Sequence, residues 1–173
     1  GTPAASLRRL LAGLLAAYLL FVVYGSLVPL RFQALPMDEA LARFAATPML
    51  NLGIASRADL VANLLLFVPL AFLAREVAVG ERRGAGALVV TLLLWVACVA
   101  LAVGIEFTQV FFPARTVSQN DIAAEASGAA VGLLLHEFGV EVDAHPLVSV
   151  LVSQHGSGDE RHPRVAPAAS VPH

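Results

Sequence analysis

Ile105-Glu106-Phe107-Thr108-Gln109, then Arg115, then Asp121-Ile122-Ala123-Ala124-Glu125, then Gly128 and Gly132, is the run on which the reading of this chain turns. Two carboxylates, Glu106 and Glu125, stand against or inside stretches that otherwise read as membrane helix. A charge at the centre of a membrane helix costs about 2.5–3.5 kcal/mol on insertion scales. Groups that expensive usually have a partner or a job. The nearest candidate partners are Gln109, Arg115 and Asp121, all within or beside one short connection.

The rest of the chain supplies the membrane context. Of 173 residues 58% are hydrophobic and 14% charged, with a mean hydropathy of +0.77. A soluble domain would carry about 25% charge. Composition therefore gives an integral membrane protein, all-α, and length gives one compact unit. A net charge of -2 argues against a nucleic-acid partner. Cys98 is the only cysteine, so an intrachain disulfide and a cysteine-based metal set are both excluded. It reads as a small core or lipid-facing residue.

Hydropathy places four spans: Leu10–Val28, Leu60–Ala74 with about a turn more at each end, Ala85–Ile105, and Ile122–Val140. A hydrocarbon core of about 30 Å takes about 20 helical residues. The first and third spans reach that length cleanly. The second and fourth reach it only by including Asn63 or Glu125, which makes them the polar-lined, inward-facing helices. Leu10–Leu30 is too long for the apolar part of a signal peptide and no small-x-small site follows it, so it reads as a retained membrane helix.

Arginine placement predicts the orientation. Arg8, Arg9, Arg75, Arg82, Arg83, Arg161 and Arg164 fall on one side, with Arg75, Arg82 and Arg83 in the connection after span two. Arg31, Arg43, Arg57 and Arg115 fall on the other. The positive-inside rule then puts both termini in the cytoplasm.

Within the longer outer loop, Pro36-Met37-Asp38-Glu39 opens a short helix that Pro48 stops, with Met37, Leu41 and Phe44 sharing a face. Pro69 predicts a bend within span two that neighbouring helices accommodate. Gly128-x-x-x-Gly132, with Ala124 a turn earlier, gives span four a smooth face for close helix approach, either by another span or by a second copy in a homo-oligomer. The transmembrane domain is drawn at residues 1–152. Residues 153–173, rich in Ser, Gly, Pro and His, are expected to be a disordered cytoplasmic tail.

On this topology Asn63, Glu106, Gln109, Arg115, Asn120, Asp121 and Glu125 converge on one depth, the outer boundary of the membrane. Glu106 and Gln109 are spaced i, i+3, and Asp121 and Glu125 i, i+4, so each pair projects from one helix face. Ser118 with Asp121 three later also matches a capping box. Glu106 and Glu125 cannot both sit ionised and unpaired at low dielectric. Either Arg115 neutralises one or one takes up a proton. Such a set can bind a ligand, act as acid and base, or pack the helices as a satisfied ion network. Glu-x-x-Gln is not the Glu-x-x-His of carboxylate di-iron bundles, and no phosphate loop or nucleophile elbow is present. No metal or cofactor is expected.

The residues from Tyr24-Gly25-Ser26-Leu27-Val28-Pro29 to Gly132-Leu133 resemble the VanZ-like family of small bacterial membrane proteins. Asn63-Leu64-Leu65-Leu66-Phe67-Val68-Pro69-Leu70 and Glu106-x-x-Gln109 … Arg115 … Asp121 … Gly128-x-x-x-Gly132 carry the resemblance. Two positions depart from the family pattern. Ala71 stands where Gly is common, and Glu125 where Asn is common, which adds a potential charge. The resemblance implies a multi-helix membrane protein of the cell envelope, in a family whose founding member is associated with teicoplanin resistance. It implies no reaction. Three functions stay open. Asn63, Glu106, Gln109, Arg115, Asp121 and Glu125 could bind an envelope component, such as a lipid-linked precursor or a glycopeptide or lipopeptide antibiotic. Glu106 or Glu125 could serve an enzyme as acid or base on a lipid-linked substrate. The polar set could also be purely structural.

Overall fold

The computed structural model describes residues 3–47 and 54–138, and five α-helices account for most of them. They are α1 (Pro3–Leu27), α2 (Met37–Ala45), α3 (Ile54–Ala78), α4 (Ala85–Gln109) and α5 (Gln119–Glu137). No strand occurs among the described residues. All five helices belong to the unit Gly1–Val140. The expected tail at 153–173 and the end of span four beyond Phe138 lie outside the described residues.

Three helices, α1, α3 and α4, are long and apolar enough to cross a membrane. Each has 25 residues, or about 37 Å at 1.5 Å per residue. Leu10, Leu14, Leu20 and Phe21 of α1 and Leu88, Leu92, Leu93 and Val96 of α4 are exposed. Two unbroken apolar faces of that kind are a surface for lipid chains. The fourth expected span, α5, is not among the three. Its 19 residues carry Asp121, Glu125 and Glu137. Instead α5 is drawn into the bundle, where Ala124, Glu125, Gly128, Ala129, Gly132 and Leu133 are buried.

The small-residue face of α5 meets α3. A methyl group added at Gly128 would run into the Leu64 carbonyl, and one at Gly132 into the Val68 carbonyl. The neighbour left open by the sequence is therefore another span of the same chain. Ala71 belongs to this contact, since its Cβ would stand 3.2 Å from a Cβ at Gly132. Pro69 lies inside α3, which runs unbroken through it. Proline frees the carbonyl four residues back. One residue beyond that carbonyl, Leu66 O accepts the Tyr18 hydroxyl of α1 at 3.1 Å. Val22, Phe67, Leu70, Ala71, Cys98, Ala102, Ile105, Ala129 and Leu133 form the core. The Trp95 indole ties α4 to α5 through the Ala126 carbonyl at 3.1 Å.

Helix α2 ends at Ala45, short of Pro48 as expected. Its residues are buried unequally. Ala40 is fully buried and Phe44 half-buried, whereas Met37 and Leu41 stay exposed. Phe44 selects this side by packing edge-to-face on Phe107, with ring centroids 5.5 Å apart.

Candidate functional site

Helix ends decide which polar groups meet. Helix α4 continues past the expected end at Ile105 to Gln109, so Glu106 and Gln109 occupy its final turns. Helix α5 starts before the expected Ile122, because Ser118 caps it. Ser118 is extended, at φ -144° and ψ 133°, and its hydroxyl accepts the Asn120 N–H at 3.1 Å. Asn120 and Asp121 are therefore in the first turn of α5 rather than in the connection.

The expected capping box forms only in part. In that motif the side chain three residues after the cap returns to the cap's own N–H. Here the Ser118 N–H instead donates to Glu106 Oε2 at 2.9 Å. Asp121 turns to α3, where the Asn63 amide hydrogen-bonds its carboxylate. Two interhelix bonds thus replace one local bond, and they join α3, α4 and the start of α5.

The remaining members are placed as follows. Gln109 is buried, and its Nε2 donates to the Ser26 carbonyl at the end of α1, at 3.1 Å. Its Oε1 has no partner among the described residues. Glu125 is 1% exposed, and its Oε2 likewise has none among them. Glu106 and Asp121 are close enough to act on Glu125 electrostatically. Arg115 does not neutralise either glutamate by an ion pair. It is exposed, donates to the Val28 carbonyl at 3.4 Å, and acts on Glu106 and Asp121 only through space.

The six residues therefore form a graded site. Glu106, Gln109 and Glu125 are its buried floor, Asn63 and Asp121 its half-buried wall, and Arg115 its exposed rim. Of the three carboxyl groups, Glu106 and Asp121 feel the Arg115 guanidinium and Glu125 feels only the other two. The floor holds more acceptors than donors, and burying an acceptor without a donor costs about 1–3 kcal/mol. Near the start of α5, Gln119 donates to the Thr47 carbonyl at 2.7 Å, and at the end of α4 and just after it Phe107, Phe111 and Phe112 pack with Phe32 of the α1–α2 connection. Among the described residues no group of three or more His, Cys, Asp or Glu is arranged to hold a metal ion.

A second polar junction, at the opposite helix ends, was not singled out by the sequence. Arg75 reads there as a loop arginine, yet it lies in the last turn of α3 and is 1% exposed. Its Nε and Nη2 donate to Glu137 Oε1 at 3.1 and 2.6 Å, and its Nη1 to the Gly80 carbonyl at 3.0 Å. His136 meets Glu76 at 2.6 Å beside it. The only signal available was distance in sequence between opposite charges, 62 residues for Arg75 and Glu137, which pattern reading does not pair.

The fold and this site define a helical membrane protein with a carboxylate-rich junction buried at one end of its spans. The chain belongs to the VanZ/LLP1 family, whose description matches residues 15–139 and so takes in everything from the middle of α1 to the end of α5. No curated protein and no solved structure matches it.

Proposed function

We propose that this protein binds an envelope component at the junction of α3, α4 and α5. The ligand we favour is a lipid-linked precursor or a glycopeptide- or lipopeptide-type antibiotic, and binding it would serve resistance or envelope homeostasis. One observation carries the reading: two buried oxygens, Glu125 Oε2 and Gln109 Oε1, find no donor among the described residues. A ligand with hydroxyl, amide or ammonium hydrogens would supply what the floor lacks. At the rim, Arg115 makes one long bond and leaves the rest of its fork exposed, which suits a phosphate or carboxylate on the same molecule. Donor groups inside and an anion outside describe a phosphorylated glycolipid or an acidic glycopeptide better than a plain hydrocarbon.

In this reading both termini are cytoplasmic and the site faces the outer leaflet. Arg8, Arg9, Arg75, Arg82 and Arg83, at the helix ends opposite the site, support that orientation.

Native mass spectrometry of the protein released gently from its own membranes tests the proposal. Wild type is compared with Arg115→Ala and Glu125→Gln. A defined adduct on wild type, absent from both folded variants, supports an outer-leaflet ligand site and gives the ligand's mass. No adduct on any of the three, with the variants less stable than wild type, returns the polar set to a structural role.

A further inference from the structure

The helix ends opposite the carboxylate site carry a second binding chemistry. Arg75 is spent internally, on Glu137 and on the carbonyls of Gly80 and Arg82, and this holds the α3–α4 turn in place. The turn's own arginines, Arg82 and Arg83, point outward and are exposed, as is Arg8 on α1. Among the described residues none of these three has an ion-pair partner. Of the nearby carboxylates, Glu76 is engaged by His136 and Glu137 by Arg75, which leaves the exposed Glu81.

Two clefts flank the turn. One, of about 220 Å³, lies between the start of α1 and the end of α3, with Leu7, Leu11, Val79, Arg8 and Arg82 among its walls, and Glu76, bonded to His136, on the same lining. The other, of about 500 Å³, lies between the turn and the start of α4, with Ala87, Val90, Arg82 and Arg83 among its walls. Each has an apolar side continuous with an exposed helix face and a guanidinium pair at the level where the spans end. Arg82 belongs to both.

We infer that these clefts hold the phosphate headgroups of anionic phospholipids from the leaflet at that end, with Arg82 shared and Arg8 and Arg83 each completing one site. Charge complementarity selects the occupant. A guanidinium fork suits a phosphodiester, and the apolar walls suit the glycerol backbone and first chain carbons. A zwitterionic headgroup brings its own cation and gains less. An acidic protein segment would satisfy the arginines but would leave the lipid-facing walls without chains.

The test is lipid retention by the full-length protein in native mass spectrometry, after exchange into micelles carrying phosphatidylglycerol, phosphatidylcholine or soluble glycerol phosphate. Wild type is expected to keep up to two phosphatidylglycerols against collisional stripping and to retain phosphatidylcholine weakly. Arg82→Ala is expected to weaken both sites, and Arg8→Ala and Arg83→Ala one each. Each loss should be about fivefold, the equivalent of about 1 kcal/mol for one arginine near an anionic surface. Arg82→Lys, which keeps the charge without the planar fork, should retain more lipid than Arg82→Ala and less than wild type. Equal retention of the two lipids, or phosphatidylglycerol retention indifferent to Arg82→Ala, overturns the inference. Retention of glycerol phosphate as strong as that of the lipid also overturns it, since the ligand would then come from solution.

Discussion

The buried carboxylate of Glu106 accepts the backbone N–H of Ser118, the residue that caps α5, at 2.9 Å. One helix thereby finishes the cap of the next. The cap N–H, ordinarily served from within its own first turn, is served from α4, and the last turn of α4 is fixed to the first of α5. A hydrogen bond to a charged group contributes about 1.5–3 kcal/mol. Glu106→Ala is expected to lower stability by about that amount, and Glu106→Gln by less, because the amide oxygen still accepts. Trp95, the only tryptophan, bonds α5 from α4 and so reports the separation of these helices by its fluorescence. Thermal melts of the two variants that coincide with wild type would remove the carboxylate from the cap.

Gly128 and Gly132 are required for space. At either position a methyl group meets backbone of α3, at Leu64 or Val68, which has no rotamer through which to escape. Overpacking of that kind costs about 1–3 kcal/mol. Gly128→Ala and Gly132→Ala should each lower the melting temperature and the folded yield. Gly104→Ala, where an added methyl meets nothing within 4 Å, should be neutral or stabilising by about 0.5–1 kcal/mol. If the two classes melt alike, α3 and α5 do not approach as closely as described.

How far the sequence could lead follows from these residues. Chain-local patterns were readable: the long apolar runs, the Ser118 cap, the short helix ahead of Pro48, and the small-residue face of α5. The convergence of Asn63, Asp121, Glu106 and Glu125 at one end also followed, because topology alone brings those helix ends together. Partner choice did not follow. Gln109 bonds Ser26 and Arg115 bonds Val28, and both acceptors are main-chain carbonyls, which a side-chain pattern cannot display. The side that α2 turns inward could not be read for a similar reason. Spacing put Met37, Leu41 and Phe44 on one face, but the contact of Phe44 on Phe107 joins residues far apart in sequence. Arg75 read as a loop charge because α3 runs a full turn beyond its apolar stretch.

Glu125 should set stability against binding. Its Oε2 is buried without a partner among the described residues, which destabilises the unliganded protein. Glu125→Gln keeps the shape and brings its own N–H donors. The expected outcome is a melting temperature equal to or above wild type, together with loss of the ligand adduct. Function sites commonly carry such a trade-off. A pronounced fall in stability would show that the carboxylate is satisfied in the fold and is not held ready for a ligand.

Arg75 and Glu137 should prove unequal partners. Arg75 is buried and serves Glu137 as well as the carbonyls of Gly80 and Arg82. Glu137 has a side chain 39% exposed, so water can serve it once Arg75 is gone. Removing one member of a fully buried pair costs about 3–5 kcal/mol. Partial exposure lowers that figure for Arg75→Ala, although the two carbonyls it deserts add their own cost. Glu137→Ala leaves a buried guanidinium that still holds both carbonyls, so the smaller loss is expected there. A double-mutant cycle measured by chemical denaturation separates the contributions. The coupling between the two residues should be about 1–2 kcal/mol, below the whole cost of Arg75→Ala, the remainder being the Gly80 and Arg82 carbonyls that Arg75 also holds. A cycle in which the coupling equals that whole cost would mean that the turn carbonyls contribute nothing.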